Sequence, residues 1–151
     1  MIPRDPWARV PEDERVRLVV VVGCSRAKRD RPADAGELYT GSFHKLCMET
    51  ARSLRPDRLF VLSARYGLVG PGHPMRPYDT RIGDPDQVKP ARLVRQAKMM
   101  GCWQSDLTIV LAGREYVELA RKVWPDAVAP LEGARGIAAM RRILAEIRDR
   151  K

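Results

Sequence analysis

Four consecutive valines, Val19 to Val22, led in by Leu18 and closed by Gly23, constrain this chain more than any other segment. β-Branched side chains favour a pleated surface. An apolar run without alternation has no solvated face, so it suits a strand covered on both sides. Residues 17–23 therefore read as a strand of a mainly parallel sheet. Residues 58–63 and 106–112 read as two more, and residues 127–131 as a short fourth. Helices are expected between them. Residues 42–54 carry Phe43, Leu46, Cys47, Thr50, Ala51 and Leu54 at helical spacing. Asp84-Pro85-Asp86-Gln87 has the residues of a helix start, an acid at the N-cap, proline at N1 and glutamine at N3, for a helix reaching about Met100. Residues 113–123 and 136–148 complete the set. The expectation is a three-layer α/β/α fold around a central, mainly parallel four-stranded sheet. Residues 1–15, with Pro3, Pro6 and Pro11, read as an irregular tail ahead of a single domain over 16–151.

The chain has 151 residues and is 44% apolar, enough for one sizeable core. No apolar run approaches the roughly 20 residues that span a bilayer. Arg4 is followed by Asp5 and Pro6 rather than by an apolar stretch, so no signal peptide is read and a cytoplasmic location is expected. Cys24, Cys47 and Cys102 are odd in number and lack CxxC spacing, which signals neither a disulfide framework nor a zinc site. With only His44 and His73 as histidines, no metal is expected. No GxGxxG or Walker pattern is present, so no cofactor is expected either. A net charge of +9 points to a polyanionic partner, nucleic acid or nucleotide first. An arginine-rich soluble surface would give the same charge. The oligomeric state stays open.

In mainly parallel sheets, ligands bind beyond the carboxyl ends of the strands. That rule gathers the special residues of this sequence. Cys24, Ser25 and Lys28 follow the first strand. A cysteine there, near a lysine and arginines, fits a nucleophile, though it equally closes a core. Arg26, Lys28, Arg29 and Arg31 suit either an anion-binding loop or a solvated charge run. Tyr39, Thr40 and Ser42 open the first helix, where a hydroxyl either meets a phosphate or caps the helix. His44 reads as a surface histidine more readily than as a base. Ser63, Arg65, Tyr66 and Gly67 leave the second strand, the tyrosine suited to stacking and the arginine to an anion. The long connection over residues 64–84 reads as a packed, functional loop anchored by Tyr66, Met75, Tyr78 and Ile82. In it, Asp79 is a candidate general base or a turn-stabilising acid. Gly113 and Tyr116 mark the third strand's end, and Gly133 and Gly136 the start of the last helix. Glu115 and Glu132 are further acids that could face the pocket. Lys89, Arg92 and Arg95 on one helix and Arg141 and Arg142 on another form candidate nucleic-acid-binding faces.

The ordered motifs Gly-Cys-Ser-x-x-Lys, Leu-Tyr-Thr-Gly-Ser, Leu-Ser-Ala-x-Tyr-Gly-Leu, Pro-Tyr-Asp, Gly-x-x-Tyr and Pro-Leu-x-Gly-x-x-Gly-Ile run from Val19 to Leu144. They resemble a domain-of-unknown-function family of bacteria, archaea and phages. That family in turn resembles the uracil-DNA glycosylase-like superfamily and the catalytic domain of archaeosine synthase, which modifies a 7-deazaguanine base in tRNA. Cys24 and Lys28 match the Cys-x-x-x-Lys of the latter, and Tyr39 and Ser42 match its Tyr-x-x-Ser. Leu38 stands in place of its proline, and His44 falls one residue early. Where the glycosylases carry a water-positioning Asp or Asn, this chain has Cys24-Ser25. The resemblance implies chemistry on a base other than ordinary uracil excision.

Three functions follow as expectations. The first is an enzyme acting on a nucleobase or modified base, free or within nucleic acid. It would work by Cys24 attack with Lys28 assisting, or by N-glycosidic cleavage with Asp79 while Tyr66 and Tyr78 stack on the base. The second is a non-catalytic nucleic-acid-binding module. The third is a nucleotide sensor.

Overall fold

The computed structural model describes residues 16–24 and 28–150. The expected tail, 1–15, lies outside the described residues, as do Ser25, Arg26 and Lys151. The valine run forms β1 (Leu18–Gly23), an interior strand of a four-stranded sheet. It pairs in parallel with β3 (Arg58–Ser63) on one side and with β6 (Leu107–Leu111) on the other. Period-two alternation splits the valines between two cores. Val19 and Val21 face Phe60, Leu62 and Val110, together with Leu93 and Ala97 of α3 (Pro90–Met99) and Val117 of α4 (Arg114–Ala120). Val20 and Val22 face Val61 and Leu111, with Leu38 of α1 (Ala35–Leu38), Cys47 and Met48 of α2 (Ser42–Ser53) and Leu144 of α5 (Gly136–Arg148). The two clusters are the two α/β interfaces of a three-layer fold, as the unbroken apolar run requires.

The sheet has its four strands, but the fourth is not residues 127–131. It is β4 (Gly67–Val69), antiparallel to β3 and inside the long connection. Val128 makes only a single parallel bridge, to Ile109, beside β6. Pro130, two residues on, has no N–H to continue a ladder. Another pair, β2 (Ala33–Asp34) with β5 (Pro74–Met75), ties the loop after β1 to the same connection. Met75 is buried there, and Tyr66, Tyr78 and Ile82 pack against the cores, so the connection is anchored by the four expected residues.

The helix expected from Asp84 begins instead at Pro90. Pro90 disfavours helical geometry at the residue before it, and Lys89 is extended at φ −90°, ψ 149°. Residues 84–87 form a separate turn. The Arg81 N–H donates to Asp84 Oδ2 at 2.9 Å and the Gly83 N–H to Gln87 Oε1 at 2.7 Å. The Val88 N–H then donates to the Ala64 carbonyl at 2.7 Å, which fastens the connection to the end of β3. No helix among the described residues is long and apolar enough to cross a membrane.

Candidate functional site

The carboxyl ends of β1 and β3 meet a folded-back loop. The Cys24 N–H continues the β1–β3 pairing by donating to the Leu62 carbonyl at 3.1 Å. Four residues on, Lys28 bridges to Tyr39, and the Arg29 N–H donates to the Leu38 carbonyl at 2.8 Å. This return brings Lys28 back over the strand ends. Its Nζ lies 4.5 Å from the centre of the Tyr78 ring and 5.7 Å from that of Tyr39, within cation–π range. Burial holds the Lys28 ammonium below its ordinary pKa. Cys24 and Asp79 oppose that shift and Arg81 adds to it.

Cys24 is half-buried, and its Sγ lies 2.8 Å from Tyr116 Oη, a residue of α4. A hydrogen-bonded chain approaches from the other side. The fully buried Ser63 donates to Tyr78 Oη at 2.8 Å, and Tyr78 is hydrogen-bonded to Tyr39. Ser63 Oγ itself accepts the N–H groups of Arg65 at 3.2 Å and Tyr66 at 3.0 Å. Those accepted bonds orient its proton toward Tyr78. Tyr39, Tyr78 and Tyr116 all have pKa values raised above the ordinary phenol value, first by burial and next by the neighbouring Cys24. All three are therefore neutral hydroxyls gathered about one sulfur.

Two cavities adjoin that sulfur. The first, about 490 Å³, is lined by Cys24, Lys28, Asp79, Arg81, Glu115 and Tyr116 among others. Two cations and two carboxylates thus share its wall. The second, about 300 Å³, shares Cys24, Glu115 and Tyr116 and is otherwise walled by groups such as Phe43, Cys47 and Leu111. His44 also lines it. This histidine is 2% exposed, with Nδ1 3.1 Å from the Gly23 carbonyl, so it is not the surface histidine the sequence leads one to expect. A signal for it was present, since His44 stands three and four residues before the buried Cys47 and Met48 on one helix face.

Among the candidate residues, Cys24, Lys28, Asp79, Tyr39, Ser63, Tyr78 and Tyr116 come together, and Gly113 lines the second cavity. Thr80 and Arg81 join them unforeseen, directly after the Pro-Tyr-Asp motif, with Ile82, which the sequence marks only as a loop anchor. Other candidates serve elsewhere. Thr40 does not cap α2, whose N-cap is Gly41 without a side-chain bond. Ser42 accepts from Arg141 at 2.7 Å, which joins α2 to α5. Arg65 pairs with Asp86 at 2.8 Å on the wall of a separate cavity. Tyr66 meets Tyr78 edge-on at 5.4 Å and lines two cavities other than those at Cys24. Gly67, at φ +82°, gives the close approach to Gln96 and Leu93 of α3. Gly133, in a turn, and Gly136, the first residue of α5, both have positive φ and line neither cavity at Cys24. Glu132 is paired with Arg121 at 2.6 Å. Lys89 at the N-cap of α3, Arg92 and Arg95 on α3 and Arg142 on α5 are exposed. These two helices cover opposite faces of the sheet, so the basic sets do not form one face. No group of three or more His, Cys, Asp or Glu among the described residues is placed to hold a metal.

Fold and site together define a three-layer α/β protein with a cysteine-centred cavity at the carboxyl edge of its sheet. The chain belongs to DUF6884, a family of unknown function, whose profile matches residues 19–146. Searches of curated proteins and of solved structures find no match.

Proposed function

We propose that the protein is an enzyme that acts on a nucleobase or modified base, free or within nucleic acid, with Cys24 as its nucleophile. The observation that carries this reading is the placement of Cys24 Sγ, bonded to the Tyr116 phenol and lining both cavities, with Lys28 on the wall of one. In the step envisaged, the thiol adds across a C=N bond of the base. An S–C bond forms, the π pair moves to nitrogen, and that nitrogen takes the proton the thiol gave up, relayed through Lys28 or a phenol. The likeness of Cys24, Lys28, Tyr39 and Ser42 to the archaeosine synthase motif supports a base as substrate. The net charge of +9 and the exposed α3 cations support a polyanionic carrier for it. Cleavage of an N-glycosidic bond by Asp79 fits less well. Asp79 is exposed at the cavity rim, and Tyr78 is held by Lys28, Tyr66 and two hydroxyls.

The test is mass spectrometry of nucleosides and nucleic acid after incubation with the wild type and with Cys24→Ala. A base altered in mass by the wild type and unaltered by the variant is the expected result. Equal turnover by both would remove Cys24 from the chemistry. Salt-dependent nucleic-acid binding without any turnover would make the protein a binding module instead.

A further inference from the structure

His44, a residue on the wall of the second cavity, carries one buried polar atom that no contact accounts for. His44 Nδ1 faces the Gly23 carbonyl, which can only accept, so Nδ1 carries the proton. Burial lowers the pKa of His44, which keeps the ring neutral. Nε2 is then a bare lone pair. It is buried, and it has no hydrogen-bond partner among the described residues. An acceptor withdrawn from water and left unpaired costs free energy, and such atoms in folded proteins call for an explanation. Here the wall is mostly apolar, with Tyr116 and the exposed Arg114 and Glu115 also on it. Phe43 and Leu111 contribute hydrocarbon, and the Cys47 thiol, pushed up to about 12 by burial, stays protonated. The Tyr39 ring, centred 4.9 Å from the imidazole, holds it in place.

The geometry points to the second cavity as a ring subsite that takes a planar heteroaromatic base and receives an N–H from it on His44 Nε2, with Cys24 on the same wall. This rests on the reading of Cys24 as a base-modifying nucleophile and names the substrate feature that reading lacks. Size agrees, since small-molecule sites run from about 300 to 1,000 Å³ and this one lies at the small end. It suits a ring system, and any sugar and phosphate would extend into the larger cavity next to it. Polarity agrees as well. A mostly apolar slot whose buried acceptor is His44 Nε2, with the exposed Arg114 and Glu115 at its rim, selects at that nitrogen a ring edge that donates, such as an exocyclic amine or a ring N–H. It rejects an edge that only accepts, because two lone pairs would then be buried face to face.

The experiment is a titration of the full chain, with 9-methyladenine, 9-methylguanine and 1-methylcytosine as donor-bearing probes and 9-methylpurine as the analogue without an exocyclic amine. The readout is the side-chain ¹⁵N resonances of the two histidines, His44 and His73. The free protein should show the Nδ1–H tautomer at His44. At least one donor-bearing probe should move its Nε2 resonance saturably, and 9-methylpurine should bind about tenfold more weakly or worse. His44→Asn retains an N–H for the Gly23 carbonyl and removes the Nε2 acceptor, and it should abolish that preference. The wild-type titration stands even if this variant fails to fold. An Nε2 resonance that no probe moves, or equal affinity for 9-methyladenine and 9-methylpurine, would overturn the subsite. Repeating the titration on Cys24→Ala separates the two proposals. Binding that persists there without turnover upholds both, and Cys24-dependent turnover without any His44 response sinks the subsite alone.

Discussion

The two ends of the parallel sheet treat polar groups in opposite ways. At the amino end, the exposed Asp57 carboxylate accepts the N–H groups of Arg17 at 2.9 Å and Leu18 at 3.0 Å, and its own N–H returns to the Leu18 carbonyl. The Leu107 N–H meets the Arg17 carbonyl at 2.9 Å. These bonds close strand ends within reach of water. At the carboxyl end, Ser63, Tyr39 and His44 are withdrawn from water at 0, 1 and 2% exposure; Ser63 and Tyr39 both bond to Tyr78, and His44 bonds to the Gly23 carbonyl next to Cys24. Buried polar networks are expensive unless complete, and the one buried side-chain nitrogen without a partner among the described residues, His44 Nε2, lies at this end. One sheet thus carries a closure at one end and an arrangement with little structural economy at the other, which is the pattern of a site.

The sharpest way to break that contrast is at the turn that builds the carboxyl end. Gly67 has φ +82°, and a Cβ there would lie 2.3 Å from Gln96 Oε1 and 3.0 Å from a Leu93 methyl. Gln96 cannot yield cheaply, because Oε1 accepts the Leu68 N–H and Nε2 donates to the Tyr66 carbonyl, each at 2.9 Å. Gly67→Ala should therefore cost about 2–4 kcal/mol in urea unfolding, from backbone strain plus displaced bonds. A loss under about 1 kcal/mol would mean that this end adapts as freely as the other.

Next in size is Ser63→Ala. It strips the Tyr78 hydroxyl of its donor and leaves two backbone N–H groups without their acceptor. The expected loss is about 1–3 kcal/mol. Turnover should fall as well, since Tyr39 and Tyr78 would no longer be aligned toward Cys24. Lost stability with unchanged turnover would reduce the network to scaffolding.

His44 gives a smaller and pH-dependent effect. Its pKa is lowered in the fold by burial. The unfolded chain therefore binds the extra proton first as pH falls below the ordinary histidine value of about 6.5. Stability is full above that value and declines below it, until the folded-state pKa is passed. The slope is at most about 1.4 kcal/mol per pH unit for one proton. Chemical denaturation from pH 7.5 to 5 should show this decline, and His44→Asn should flatten it. An equal decline in both proteins would assign the pH dependence to other groups.

What was legible in the sequence follows the range of the interactions that decide it. The valine run is local, and its double burial set the layers correctly. The strand-end rule brought Cys24, Lys28, Asp79 and Tyr116 to one place without any contact being known. Misreadings arose where a distant partner decided. Gly67-Leu68-Val69 is too short to read as a strand until β3 pairs with it. Residues 84–87 had the letters of a helix start, but Pro90 forced Lys89 to be extended and the helix to begin later. The Tyr39–Tyr78 bond joins residues 39 positions apart, and no periodicity announces it. His44 was the nearest miss, because its helical spacing to Cys47 and Met48 already placed it on the buried face.

The smallest expected effect is at the amino end, and its smallness is what the contrast requires. Asp57 has its pKa lowered, first by the Leu18 N–H, then by the Arg17 N–H. A depressed carboxylate stabilises the fold above its unfolded value of about 3.9, and that contribution is lost as pH falls through the folded value. Asp57→Asn keeps a side-chain oxygen for the two N–H groups and removes the charge. It should lower Tm at pH 7 by less than Ser63→Ala does, and the difference from wild type should vanish toward the acid end of the carboxylate range. Thermal melts between pH 7 and pH 3 measure this directly. Turnover should be unaffected, because Asp57 lies at the opposite end of β1 from Cys24. A loss of turnover in Asp57→Asn beyond the fraction unfolded would show that strand position at the amino end is transmitted along β1 to the thiol, and the two ends would then have to be treated as one device.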